Sequence, residues 1–195
     1  MPDARSSPPA RSGPPSPDSP GAGGPGAAGG AAISIRLVVP ADANALREIY
    51  NREVETSTVT FDMVARTLDQ QRRWIAEHMG SYPALVAVDD ATDRVLGFAS
   101  LSSYRPRPAY ATTVEDSVYV HHAERGRGVG LRLIEALVEA AAAHGFHSII
   151  ARVVGDHDAS IALHRRAGFE IVGREREVGR KFGRWLDVVL MQRML

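Results

Sequence analysis

Residues Val114 to Leu137, VEDSVYVHHAERGRGVGLRLIEAL, set a strand, a glycine-rich turn and a helix in immediate succession. The strand is read from alternation, which puts Val114, Val118 and Val120 on one face. The helix is read from an apolar stripe formed by Leu133, Ile134, Leu137, Val138 and Ala141. Between them lies Arg125-Gly126-Arg127-Gly128-Val129-Gly130. A glycine-rich turn that opens a helix leaves backbone N–H groups uncovered at its positive end, where an anion is favoured. That suits a phosphate, with Arg125 and Arg127 beside it to supply charge. Without side chains at the glycines, a pyrophosphate can reach the backbone. The competing reading is a hinge or an incidental tight turn, and only the flanking strand and helix favour the phosphate.

The type of phosphate site can be narrowed. No Gly-Lys-Ser/Thr follows, so the turn is not a P-loop for nucleoside triphosphates. Gly126, Gly128 and Gly130 are spaced G-x-G-x-G with Leu131 next, so the dinucleotide fingerprint fails as well. The balance of 23 Lys+Arg against 23 Asp+Glu offers no bulk attraction to nucleic acid or to a membrane surface. Lys181 is the sole lysine, so the cationic sites are guanidiniums, suited to planar or tetrahedral anions. The absence of cysteine excludes disulfides, cysteine-ligated zinc and thiol nucleophiles, and fits a cytoplasmic protein. No apolar run approaches the roughly 20 residues of a membrane span.

Residues 1–32 are almost wholly Pro, Gly, Ala and Ser, and cannot bury enough surface to offset ordering entropy. They read as a disordered tail or as an artefact of the start site, with the folded domain over residues 33–195. Within the domain, Ile33–Val39 reads as a strand, and a helix starts at Pro40-Ala41-Asp42 with Ala45, Leu46, Ile49 and Val54 as its stripe. A polar loop, Glu55–Asp62, carries Phe61, and a second helix covers Leu68–Met79. Ala84–Val88 and Val95–Tyr104 form a hairpin, and Arg105–Tyr110 is too rich in proline for the interior of either element. After the central helix come a strand over His147–Val154 and a helix over Asp158–Ala167, capped by Gly168. Strands Phe169–Val178 and Trp185–Met194 flank a turn at Arg180–Arg184.

Arg125-x-x-Gly128-x-Gly130 resembles the acyl-coenzyme A loop of the GNAT-type N-acetyltransferases, and the order β-α-α-β-β-β-α-β-α-β-β resembles theirs. Four further stretches make the chain similar to the phosphinothricin and methionine sulfoximine N-acetyltransferases. These are Glu55-Thr-Ser-Thr-Val-Thr-Phe61, Arg105-Pro-Arg107-Pro-Ala-Tyr110, Glu115-Asp-Ser-Val-Tyr119-Val120, and Lys181-Phe-Gly-Arg-Trp185-Leu-Asp187. The resemblance implies an α/β (α+β) fold with a mixed, mostly antiparallel sheet flanked by helices, its central strand splayed by a bulge. It implies acetyl-CoA as co-substrate, no metal, a small amino-acid-like substrate and a homodimer.

The chemistry asks for few groups. An ammonium has no lone pair, and an α-amine has a pKa of about 7.7–8.0, so a modest base suffices. Glu115 matches the glutamate that the family uses as base, against the plain reading of an exposed strand residue. The thioester oxygen gains charge and needs a backbone N–H, expected among Ser117, Val118, Tyr119 and Val120. By resemblance His164 protonates the departing thiolate, although a histidine packed in a helix is an equal reading. His157 stands where the family usually has Asn bonding the pantetheine arm, and Ser160 is retained. Arg105 and Arg107, two apart in a stiff loop, could face one oxyanion or carboxylate. Phe61 and Trp185 could wall the pocket or be core, and Tyr110 and Lys181 join the substrate set by resemblance alone. His121 and His122 tempt a metal reading, but alternation along a strand sends them to opposite faces. The chain is thus expected to be an N-acetyltransferase. The alternatives are acetylation of a protein N-terminus or another amine, or a coenzyme A-binding sensor without turnover, which would need neither Glu115 nor His164.

Overall fold

The computed structural model describes residues 32–195, so the tail expected over residues 1–32 lies outside the described residues apart from Ala32. The chain runs β1 (Ile33–Leu37), α1 (Ala43–Thr56), α2 (Leu68–Glu77), β2 (Ala84–Asp89), β3 (Arg94–Ser103) and β4 (Thr113–Val120). It continues with α3 (Val129–Ala143), β5 (Ser148–Val154), α4 (Asp158–Arg166), β6 (Glu170–Lys181) and β7 (Arg184–Met194). Element order and type match the sequence reading, and the departures are at the ends. Pro40–Asp42 forms a 3-10 turn before α1, because the Asp42 carboxylate accepts from the Val39 N–H at 2.8 Å and from Arg36. Helix α1 then runs on to Thr56, into the expected loop, while α2 stops at Glu77. Thr67 and Gln70 close a capping box at the start of α2. Proline suits the first turn of a helix, and Pro108–Tyr110 is a short 3-10 turn. The final hairpin is tighter than expected. Phe182 and Gly183 both take positive φ, the backbone of a two-residue turn whose twist matches its strands.

The seven strands form one sheet in the order β1-β2-β3-β4-β5-β7-β6. Every pairing is antiparallel except β4 with β5, which are joined by the crossover through α3. Both faces are covered. Helix α3 buries Leu133, Ile134, Leu137 and Ala141 against Leu96, Leu101, Val114 and Ile149. On the other face α1 and α2 bury Leu46, Ile49, Val54 and Ile75 against Val86, Val88 and Phe98. Helices α3 and α4 each end in a glycine with positive φ, Gly145 and Gly168. At each, paired bonds such as Phe169 N–H to His164 O and Gly168 N–H to Arg165 O close the last turn. No helix among the described residues is long and apolar enough to cross a membrane.

Candidate active site

The site follows from what β4 does between its neighbours. Toward β3 it stays paired without a shift of register from Val114 to Val120. Toward β5 it pairs only through Thr113, Val114 and Glu115, after which β5 continues with β7 alone. The strands therefore part, as the resemblance implied, but by loss of parallel pairing and not by the expected bulge: an extra residue in β4 would have shifted its register with β3. The His121 N–H donates to Leu96 O at 2.8 Å, which fixes the alternation of the ladder. The backbone groups of Glu115, Ser117 and Tyr119 then face β3, and those of Val118 and Val120 face the gap. On that side Val118 and Val120 have no strand partner in β5.

The gap is the floor of a cleft of about 730 Å³. Among the residues singled out above, Phe61, Glu115, Val118, Tyr119, Val120, Arg125, Gly126, Gly128, Val129, Gly130, His157, Ser160 and His164 line it. Glu115 is half-buried, and burial raises its carboxyl above the ordinary range; Arg152 opposes the shift and Asp116 adds to it. That is the direction a general base for an amine requires. At the far end, Gly126 and Gly128 hold φ of 79° and 80°, and Gly128 is the N-cap of α3 with no side-chain bond over the helix end. Gly130 serves packing instead: a Cβ there would lie 3.1 Å from Leu163 Cδ2 and 3.5 Å from Val120 Cγ2. His157 opens α4, and burial followed by the charge of Arg125 pulls its imidazole down, toward the neutral form.

Two arginines expected to face the ligand have partners in the protein. Arg125 donates to Glu53 of α1, a buried carboxylate that also accepts from Ser57 Oγ at 2.8 Å. Arg127 donates to Glu124, which bonds Arg94 as well, and Arg127 does not line the cleft. Glu124 is held below the usual carboxylate range, first by the Arg94 bond and then by Arg127, with burial opposing. These glutamates set the turn from below.

The acetyltransferase (GNAT) domain family matches residues 35–190. The chain belongs to that family. As a GNAT acyltransferase it takes acetyl-coenzyme A as acyl donor. It is 44% identical over 160 residues to an L-methionine sulfoximine/L-methionine sulfone acetyltransferase of Pseudomonas paraeruginosa, covering 82% of this chain and 92% of the relative. It is 41% identical over 167 residues to a phosphinothricin N-acetyltransferase of Streptomyces coelicolor, covering 85% and 98%. In structure it is similar to a phosphinothricin acetyltransferase of Sinorhizobium meliloti in complex with acetyl-CoA (TM-score 0.80, 38% identity, 84% and 88% covered). It is equally similar to a ribosomal-protein-alanine N-acetyltransferase of Brucella melitensis (TM-score 0.80, 38% identity, 83% and 99% covered).

The GNAT cleft has room where the acyl donor needs it. A Cβ on Gly126 or Gly128 would meet nothing within 4 Å, so the glycine turn is open to a pyrophosphate. The N–H groups at the start of α3 would meet the phosphates, and the backbone of Val118 and Val120, with His157 and Ser160, would meet the arm. The substrate set is scattered. Arg105, Arg107, Tyr110, Lys181 and Trp185 are not part of the cleft lining. The Arg105 guanidinium stacks over Tyr104 at 4.9 Å, with Tyr110 beyond at 5.9 Å. Trp185 is 60% exposed, with Arg180 over its ring. Lys181 is buried, donates to Thr60 O at 2.8 Å, and is lowered by that burial, so it supports the loop that carries Phe61. His121 and His122 do not part as alternation required. β4 ends at Val120, the pair sits in the turn beyond it, and their rings lie 4.4 Å apart. Sequence reasoning missed Glu53, Glu124, Arg152 and Asp116. For Asp116 the available signal was its place beside Glu115 on the opposite face of the strand.

Proposed function

We propose that this enzyme acetylates the α-amine of a small amino acid or analogue such as phosphinothricin, methionine sulfoximine or methionine sulfone, with Glu115 as general base. The observation that carries the reading is a half-buried carboxyl of raised pKa at the point where β4 and β5 part. The names of the relatives support the substrate class. Glu115 removes the proton as the amine nitrogen bonds to the acetyl carbon. The Val118 N–H donates to the oxygen as it gains charge, and the carbon–sulfur bond then breaks. The thiolate takes a proton from His164, which regains one from Glu115 through solvent. The substrate's acidic end is met by guanidiniums, with Arg105 and Arg107 as candidates beside Arg152, which lines the cleft and whose charge opposes the upward shift of Glu115. Residues 33–195 would work as one catalytic domain in the cytoplasm, and exposed Trp185 and Phe182 on the last hairpin would join a homodimer.

A second reading, acetylation of a protein N-terminus, is favoured by the likeness to the ribosomal-protein-alanine enzyme. Release of coenzyme A thiol, measured with a panel of free amino acids, the two analogues and an alanine-ended peptide, separates the two. Turnover with free amino acids is expected. Turnover with the peptide alone would overturn the proposal, and none with any amine would favour a sensor.

A further inference from the structure

Asp116 lies in the wall of the cleft beside Glu115 with no task in the reaction above. Its carboxyl is buried, with Oδ2 3.0 Å from His164 Nε2 and Oδ1 without a hydrogen-bond partner. On the other side of the ring, His164 Nδ1 lies 2.8 Å from the Ser160 carbonyl oxygen. A carbonyl only accepts, so Nδ1 carries a hydrogen. A neutral imidazole with its hydrogen there presents a lone pair at Nε2, and a lone pair repels an ionised carboxylate. The 3.0 Å contact therefore needs a further proton between the two groups. Both bonds of the ring are made with that proton on either partner, and an imidazole is the stronger base of the two, which places it on Nε2 with the carboxylate and the carbonyl each accepting.

We propose that Asp116 is a positioning residue that keeps His164 doubly protonated in the resting enzyme, so that the Nε2 hydrogen, held by Asp116 until that contact opens, is in store for the departing thiolate. Once Nε2 gives up its proton, its lone pair is left against the carboxylate, which drives reprotonation before the next turnover. Burial works against the charged ring, but the bond and charge of Asp116, with the Ser160 carbonyl, outweigh it and raise His164 above its ordinary value. The groups facing the ring are few. β4 supplies Asp116, α4 supplies Ser160, and the residue after α4's glycine cap, Phe169, packs its ring perpendicular at 5.1 Å. His157, at the start of α4, is the other titratable group coupled to it, and their like charges oppose one another. Asp116 also raises Glu115, so its removal relaxes the base as well.

Asp116→Asn isolates the charge, because the amide can donate to a neutral Nε2 and keep the contact. Nitrogen-15 spectra of the full chain report the ring directly, with His164 assigned by the signals lost in His164→Gln. In the unsubstituted protein both ring nitrogens should be protonated at neutral pH and titrate above the ordinary value of about 6.5. In Asp116→Asn the midpoint should fall by about one pH unit or more. The alkaline limb of kcat should move down with it, while KM for acetyl-CoA stays within a few-fold. A singly protonated His164 at neutral pH in the unsubstituted protein would overturn the proposal, even if Asp116→Asn failed to fold. So would a shifted titration with an unmoved alkaline limb. The inference rests on the acetyl-transfer reading, but the spectra need no turnover, so the two can fail separately.

Discussion

Replacing Gly128 by alanine would measure how much of acyl-donor binding rests on the backbone of one turn. Gly128 caps α3 at φ 80° and ψ 1°, and a Cβ built there meets no atom within 4 Å. Overlap therefore contributes nothing in the free protein, and the cost is the left-handed conformation itself, about 1–2 kcal/mol for a residue with a Cβ. That cost has two places to appear. If the free turn keeps its shape, the variant is less stable and binds as before. If the free turn relaxes, stability is spared and the strain returns on binding. The two losses should therefore sum to about 1–2 kcal/mol, and since about 1.4 kcal/mol is tenfold, affinity can fall by at most about 30-fold. Calorimetric titration with acetyl-CoA and urea unfolding of the same preparation supply both terms. No change in either would refute the requirement for a left-handed residue. A loss of affinity beyond about 100-fold would refute the torsional account, because the added methyl would then have to touch the ligand. Gly130→Ala is the contrast: its Cβ meets Leu163 and Val120, so it should disturb the packing of α3 on α4.

Glu115→Gln keeps the shape of the side chain and removes its basicity; kcat should fall by roughly 10²–10⁴-fold, with the deficit shrinking as pH rises and acetyl-CoA affinity within a few-fold. Near-normal turnover at neutral pH would remove Glu115 from the reaction. In Gly179→Ala the new Cβ would overlap Phe61 Cε2, so the ring must swing. Steady-state kinetics should show a changed KM for the amine and an unchanged one for acetyl-CoA, and the reverse pattern would place Phe61 with the donor. Glu124→Gln should lower the urea midpoint at neutral pH by freeing Arg94 and Arg127. Because the folded pKa of Glu124 is depressed, its contribution is present above the unfolded value of about 4.3 and lost as pH falls through the folded one. The gap between variant and parent should close in acid, and a gap constant with pH would show that the carboxylate charge is not what matters.

Local order determined what the sequence could say. Alternation placed Val114, Val118 and Val120 on the α3 face, where they pack, and left Glu115 on the other. Helical spacing placed Leu133, Leu137 and Ala141 in the core, and the glycines marked the turn and the end of α4. Each of these signals lies within a few residues of the feature it predicts. The tertiary structure decided whatever depends on a partner far along the chain. Arg125 is free to meet a phosphate in the sequence, yet Glu53, 72 residues away, takes its guanidinium. His164 reads as a lone helical histidine until α4 lays it against Asp116, 48 residues earlier. The cleft itself arises because β5 leaves β4 after Glu115 and goes on with β7, a choice of neighbour made by the whole sheet. Period and turn chemistry are properties of a short segment, and burial, charge pairing and strand partners are properties of the assembled layers.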